Sequence, residues 1–159
     1  RGKKGYLFVI GDELPYTTTS KDELRKLIAD DIQDGTNINE IIKAATEKYE
    51  VFFIIPNETS NYNASWLTKT WSELLGAERV LRLQDPEAVC ELIASTIGLM
   101  EGTLTPDGIA TDLADVGAST AIVHSVSSSL DPLAKSTALM KAATGSLPEK
   151  AGSTSVTRL

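Results

Sequence analysis

Residues 5–24, GYLFVIGDELPYTTTSKDEL, decide how the rest of the chain is read. Tyr6 to Ile10 form an unbroken apolar run, the length of a strand covered on both faces, as in a parallel sheet flanked by helices. The run stops at Gly11. Two carboxylates follow, Asp12 and Glu13, and then a hydroxyl-rich turn, Thr17 to Ser20. Ser20 with Glu23 three positions later is a capping box, and Leu24, Leu27, Ile28 and Ile32 recur behind it on one helical stripe up to Gly35.

The same alternation repeats outward to residue 100. Asn37 and Glu40 predict a second capping box, with Ile38, Ile41, Ile42, Ala45 and Tyr49 along the buried face. VFFII at 51–55 is another doubly covered strand, ended by Pro56. Trp66, Leu67, Trp71, Leu74 and Leu75 recur at helical spacing up to Gly76, and both tryptophans are assigned to the core. RVLRL at 79–83 alternates charged and apolar residues, as expected of a strand near the sheet edge with one wet face. Asp85 caps the next helix with Pro86 at its first position, and Val89, Leu92, Ile93 and Ile97 form its stripe.

Strands alternating with helices predict a three-layer α/β fold around a parallel sheet, in which ligands bind beyond the carboxyl ends of the strands. Gly11-Asp12-Glu13 stands at that edge. Past Gly102 small and hydroxyl residues dominate. One short helix is expected around Ile109, Leu113 and Val116, a helix or strand at AIVHSVSSSL, and a helix begun at Asp131 and Pro132. The chain therefore divides into a core at 1–102, a helical, small-residue-rich extension at 103–143, and a polar tail at 144–159.

Composition narrows the partners. A net charge of −7 and a pI near 4.7 argue against a nucleic-acid backbone. One cysteine, Cys90, makes no internal disulfide, and no window has the apolar length of a membrane span or signal peptide. A cytoplasmic setting is expected. The triplets at Asn57 and Asn63 match the glycan-acceptor pattern, but without a secretion signal they carry little weight. The first residue is Arg1 rather than Met, which suggests a piece of something longer.

Hard cations prefer carboxylate and hydroxyl oxygens, so the acidic strand end makes Asp12 a candidate ligand for Mg²⁺ or Mn²⁺, with Glu13 and Thr17 as secondary candidates. The plainer reading is that Asp12 simply closes a strand. No phosphate-cradling glycine spacing is present. His124, the single histidine, and Cys90 have no sequence neighbours that would activate them. GDEL is similar to the Gly-Asp-Ser-Leu block of a family of esterases, but Glu13 stands in the place of the nucleophilic serine, and no Asp-x-x-His pattern surrounds His124.

YLFVIGDELPY, VFFIIPN, SWLTKTWSELLG and RVLRLQDPEAVCELIASTI, in that order, resemble the second half of a von Willebrand factor A-like domain, over about residues 5 to 100. In that family the fourth strand ends in Thr-Asp-Gly, whose Asp helps hold a metal ion; Asp12 matches it, while Gly11 and Glu13 replace the flanking residues. The family's Asp-x-Ser-x-Ser loop is not found in the 159 residues, nor is a second-loop Thr. The resemblance implies a Rossmann-like parallel sheet of which this is half, with a strand missing beside residues 6–10. A greasy exposed edge there would invite aggregation, so an upstream segment or a second chain is expected to cover it. The expected function is a non-enzymatic protein-interaction or assembly module, with divalent-metal-dependent binding at the carboxyl edge. The alternatives are a structural subunit with no metal site and, more distantly, an esterase-like hydrolase that has lost its serine.

Overall fold

Three strands form one parallel sheet in the order β1-β2-β3 in the computed structural model, which describes residues 2–18, 20, 22 and 37–144. They are β1 (Gly5–Ile10), β2 (Tyr49–Pro56) and β3 (Val80–Leu83). Gly5 pairs with Tyr49 and Ile10 with Ile54, while Phe53 pairs with Val80 and Pro56 with Leu83. The helix expected over Ser20–Gly35, with its Leu24, Leu27, Ile28 and Ile32 stripe, falls outside the described residues apart from Ser20 and Asp22.

Side chains alternate across a strand, so the all-apolar β2 feeds two cores at once. Phe52 and Ile54 join Leu81 and Leu83 on one face. Phe53 and Ile55 join Val80 on the other. The second face is covered by α1 (Ile38–Lys48) and α2 (Ser65–Leu75), through Ile42, Leu67 and Trp71. The first face is covered by α3 (Val89–Glu101), α4 (Ile109–Asp115) and α5 (Thr120–Thr144), through Leu92, Leu99, Ile109, Leu113, Val126, Leu130 and Leu133. Residues 103–143, read from sequence as an extension, thus supply much of one layer of this core. Their small-residue composition concealed it because the leucines and isoleucines that do the packing are few.

Local signals hold in several places. Asn37 and Glu40 close the expected capping box, Glu40 N donating to Asn37 Oδ1 at 3.1 Å and Asn37 N to Glu40 Oε2 at 3.3 Å. Asp85 Oδ1 accepts from Glu87 N at 3.0 Å, and a short 3₁₀ turn, Pro86–Ala88, leads into α3. Gly102 ends α3 in the left-handed conformation, φ +71°, where a side chain would be strained.

Five expectations are corrected. β1 is an edge strand, as the missing neighbour implied, but it is covered on one face rather than two: Tyr6 and Phe8 pack on the α3–α5 face, whereas Leu7 and Val9 are 37% exposed and Ile10 51%. β3 is also an edge, yet only Arg82 is exposed, because helices cover both of its faces. Trp71 is core, 7% exposed, whereas Trp66, five residues back on α2, is 46% exposed. Val116 lies beyond the end of α4 and is exposed, and α1 has no fully buried residue, with Ile41 facing outward.

The two elements expected around 121–143 merge into the single helix α5, with Pro132 inside it. Proline has no amide for the Ser128 carbonyl, but Ser128 is exposed to water, and Leu130 and Leu133 on either side are buried in the core. Tertiary burial outweighs the start signal at Asp131-Pro132.

Candidate functional site

Parallel strands bring the ends of β1, β2 and β3 to one rim, which places Asp12 and Glu13 beyond β1, Asn57 and Glu58 beyond β2, and Gln84 and Asp85 beyond β3. Asp12, half-buried, binds the loop after β2. Asn61 N donates to Asp12 Oδ2 at 3.1 Å, and Asn61 Nδ2 donates to the Asp12 carbonyl at 3.0 Å. The next carbonyl, of Glu13, accepts from Trp71 Nε1 at 3.0 Å, satisfying the one polar atom of an indole whose ring stacks on Phe53 at 3.9 Å between centroids. Thr17 contributes its carbonyl, which accepts from Ile38 N at 3.2 Å. The side chains of Glu13 and Thr17 are exposed. The Gly-Asp-Glu turn therefore acts as a clasp between β1 and the β2–α2 connection.

At the position where the resemblance implies an ion, one Asp12 carboxylate oxygen accepts from the Asn61 amide, and among the described residues no three His, Cys, Asp or Glu side chains come together. A separate cleft of about 430 Å³ opens between the ends of β2 and β3, lined by Asn57, Glu58, Gln84, Asp85 and, from α5, His124 and Ser125. Glu58 there holds φ +73°, an unfavourable conformation for a residue with a side chain. His124 is exposed at this cleft, away from the β1 end where Glu13 stands in the serine's position. Cys90 is exposed on α3.

Charge is distributed unevenly between the two rims. At the amino rim Lys3 pairs with Glu101 at 2.6 Å, and Lys4 and Arg79 both pair with Glu50. Tyr6 OH donates to Glu101 at 2.8 Å. Burial, and then this bond, push the Tyr6 phenol up to about 12, while the hydrogen bonds from Lys3 and Tyr6 hold the Glu101 carboxyl below its usual range. At the carboxyl rim Asp12, Glu13, Glu58, Asp85 and Glu87 have no cationic partner among the described residues.

The two sheet edges differ more than the two rims. Asn57 N donates to Leu83 O at 2.7 Å, so Leu83 turns its main-chain groups toward β2, and its neighbour Arg82 must turn its own outward. Ser129 of α5 meets that outward carbonyl at 2.6 Å, and Ser125 accepts from Asp85 N at 2.9 Å. Two serines of AIVHSVSSSL thus hold β3 and the residue after its end: Ser129 on the Arg82 carbonyl and Ser125 on the Asp85 amide. On β1, Gly11 N donates to Ile54 O at 3.1 Å, so by the same alternation Tyr6, Phe8 and Ile10 turn their amides and carbonyls away from the sheet. Among the described residues no strand lies beside them. Sequence reasoning had found the apolar edge but could not find the serine cover, because a serine's hydrogen-bond partner depends on tertiary position.

No helix among the described residues is long and apolar enough to cross a membrane. No family model, curated protein or solved structure matches this chain.

Proposed function

We propose that this chain is an assembly module whose partner adds a β-strand along the outer edge of β1, widening the sheet toward that of a von Willebrand factor A-like domain. One observation carries the reading: Ser129 of α5 caps the outward Arg82 carbonyl on the β3 edge, whereas β1 presents outward main-chain groups on Tyr6, Phe8 and Ile10 beside the exposed side chains of Leu7, Val9 and Ile10. Strand addition satisfies both needs, the amides through a new ladder and the apolar side chains through burial. The strand is supplied by a protein, either a segment of the same polypeptide or a second chain. Divalent-ion dependence is not needed for this docking, and Asp12 serves it by fixing the end of β1.

Residue-resolved hydrogen exchange tests the proposal. In dilute solution the amides of Leu7, Val9 and Gly11 should be protected and those of Tyr6, Phe8 and Ile10 should exchange freely. At high concentration β1 of another copy can supply the strand, so the second set should gain protection as the sedimentation coefficient rises. Ile10→Lys, a charge on the edge, should suppress both changes, and EDTA should alter neither. Uniform protection of Tyr6, Phe8 and Ile10 in the dilute monomer would mean that the edge is already covered, and the proposal would fail.

A further inference from the structure

Residues 3–13, KKGYLFVIGDE, complement themselves when the sequence is laid against its own reverse. On either side of Phe8 come Leu7 and Val9, then Tyr6 and Ile10, apolar against apolar. Gly5 and Gly11 follow, and beyond them Lys4 stands against Asp12 and Lys3 against Glu13, cation against anion at both steps. Within one chain this order has no use, because β1 pairs with β2. It gains one when the strand meets a second copy running the other way.

In an antiparallel pair, outward-turned residues face outward-turned residues and exchange both main-chain hydrogen bonds. Tyr6, Phe8 and Ile10 are the outward residues of β1, since Gly11 N is bonded inward to Ile54 O. A two-fold axis at Phe8 sets Phe8 against the same residue of the second copy and Tyr6 against Ile10, so each outward amide and carbonyl of these three residues gains a partner. Opposed side chains share a face. On the α3–α5 face Phe8, stacked on Phe52 at 5.3 Å between centroids, meets the Phe8 ring of the copy. On the other face Leu7 and Val9, each 37% exposed, are covered by Val9 and Leu7 of the copy.

Charge selects this register. Lys3 is 81% exposed even with its bond to Glu101, and the Asn61 amide takes one Asp12 carboxylate oxygen and leaves the other. Glu13 is exposed and has no cationic partner among the described residues. A slip of two residues would set Lys4 against Ile10 or Asp12 against Tyr6, and a parallel in-register pair would set lysine against lysine. The antiparallel pair is also closed: both copies use the same patch, so association stops at the dimer and the two three-stranded sheets become one.

We infer that the strand added to β1 is β1 of a second copy of this chain, antiparallel and centred on Phe8, with Lys3–Glu13 and Lys4–Asp12 pairs at its two ends. The inference rests on the strand-addition reading and names its partner and register.

The parent chain tests it without substitution. In a sample mixing isotope-labelled and unlabelled protein, intermolecular NOEs should run from Leu7 to Val9 and from Tyr6 to Ile10 as the dimer forms. In a Cys90→Ser background, the Leu7→Cys and Val9→Cys chains should form a disulfide when mixed, because opposed Cα atoms lie about 4.5 Å apart, and neither should do so alone, because like positions sit diagonally at about 7–8 Å. Lys3→Glu and Glu13→Lys should each weaken dimerisation about tenfold in sedimentation equilibrium, and an equimolar mixture of the two should recover it. Cross-linking of Leu7→Cys to itself, or protection of Tyr6, Phe8 and Ile10 without a Leu7–Val9 contact, would overturn the register and leave strand addition standing. A chain still monomeric at about 1 mM would remove the second copy as partner and leave addition by another protein segment standing. A dimer whose Tyr6, Phe8 and Ile10 amides exchange as freely as in the monomer would defeat both.

Discussion

Replacing Asp12 separates a clasp from a metal ligand. Asp12→Ala removes the acceptor of the Asn61 amide, held at 3.1 Å in a half-buried setting, and leaves the Asn61 side chain bonded to the position 12 carbonyl. A hydrogen bond to a charged group contributes about 1.5–3 kcal/mol, and partial solvent access puts this one near the low end, about 1.5 kcal/mol. For a chain of this length each kcal/mol lowers Tm by roughly 2–4 °C, so a fall of about 3–6 °C is expected. Asn61→Ala removes only the neutral bond and should cost about 1 kcal/mol. Asp12→Asn keeps an oxygen acceptor and should retain most of the stability. Urea unfolding followed by circular dichroism measures all three. A Mg²⁺ site on Asp12 predicts a different pattern: Mg²⁺ at a hundredfold excess over its Kd would add about 2.7 kcal/mol to the parent, and both Asp12 variants would lose it alike. We expect Mg²⁺ to move no midpoint. The clasp is refuted if Asp12→Ala is as stable as the parent, or if Mg²⁺ stabilises only the chain that carries Asp12.

Ultraviolet titration of the phenols should find one tyrosine, absent in Tyr6→Phe, ionising near 12. The folded state favours the neutral phenol, so its contribution is complete below the ordinary value of 10.0 and is lost as pH rises from there through about 12; a flat stability curve over that window would contradict it. Phe53→Ala empties a site that is stacked on Trp71 and almost fully buried, and it should cost about 3–5 kcal/mol in urea unfolding. Glu58→Gly relieves a positive φ and should raise stability by up to about 1 kcal/mol, whereas a fall in Tm would show that the Glu58 side chain holds the turn.

Much of this fold was legible because its signals are local. The apolar runs at β1 and β2, the Asn37–Glu40 box, the Asp85-Pro86 start and the stops at Gly76 and Gly102 each depend on a few adjacent residues, and each stands where the sequence put it. Asp12 came to the carboxyl rim because parallel pairing was itself legible. The errors concern partners. An all-apolar strand reads the same whether one face or both are packed, and only the exposure of Leu7 and Val9 shows that β1 is covered on one. Trp66 and Trp71 lie on one helix with similar spacing signals, and only the Glu13 carbonyl and the Phe53 ring distinguish the buried one. The Asp12–Asn61 clasp spans 49 residues and leaves no periodic trace.

The contrast between the two edges bears on why a continuous apolar strand can stand at a sheet boundary at all. Edges are blunted in native proteins by charge, proline, bulges or a covering element, and β3 has two of these, the exposed Arg82 and Ser129 of α5. β1 has none within Tyr6–Ile10: it carries no charge, no proline and no described cover. Its charged neighbours, Lys3 and Lys4 before it and Asp12 after it, are turned to bonds with Glu101, Glu50 and Asn61 instead of guarding the edge. A strand held this firmly at both ends, with no described residue paired along its outer side, has the properties of a template. Its rigidity lowers the ordering cost of pairing, and its exposed Leu7, Val9 and Ile10 reward the pairing with burial. The same features would make the isolated chain prone to associate with itself, so the proposed strand docking and a tendency to aggregate would have one physical source, and Ile10→Lys should reduce both together.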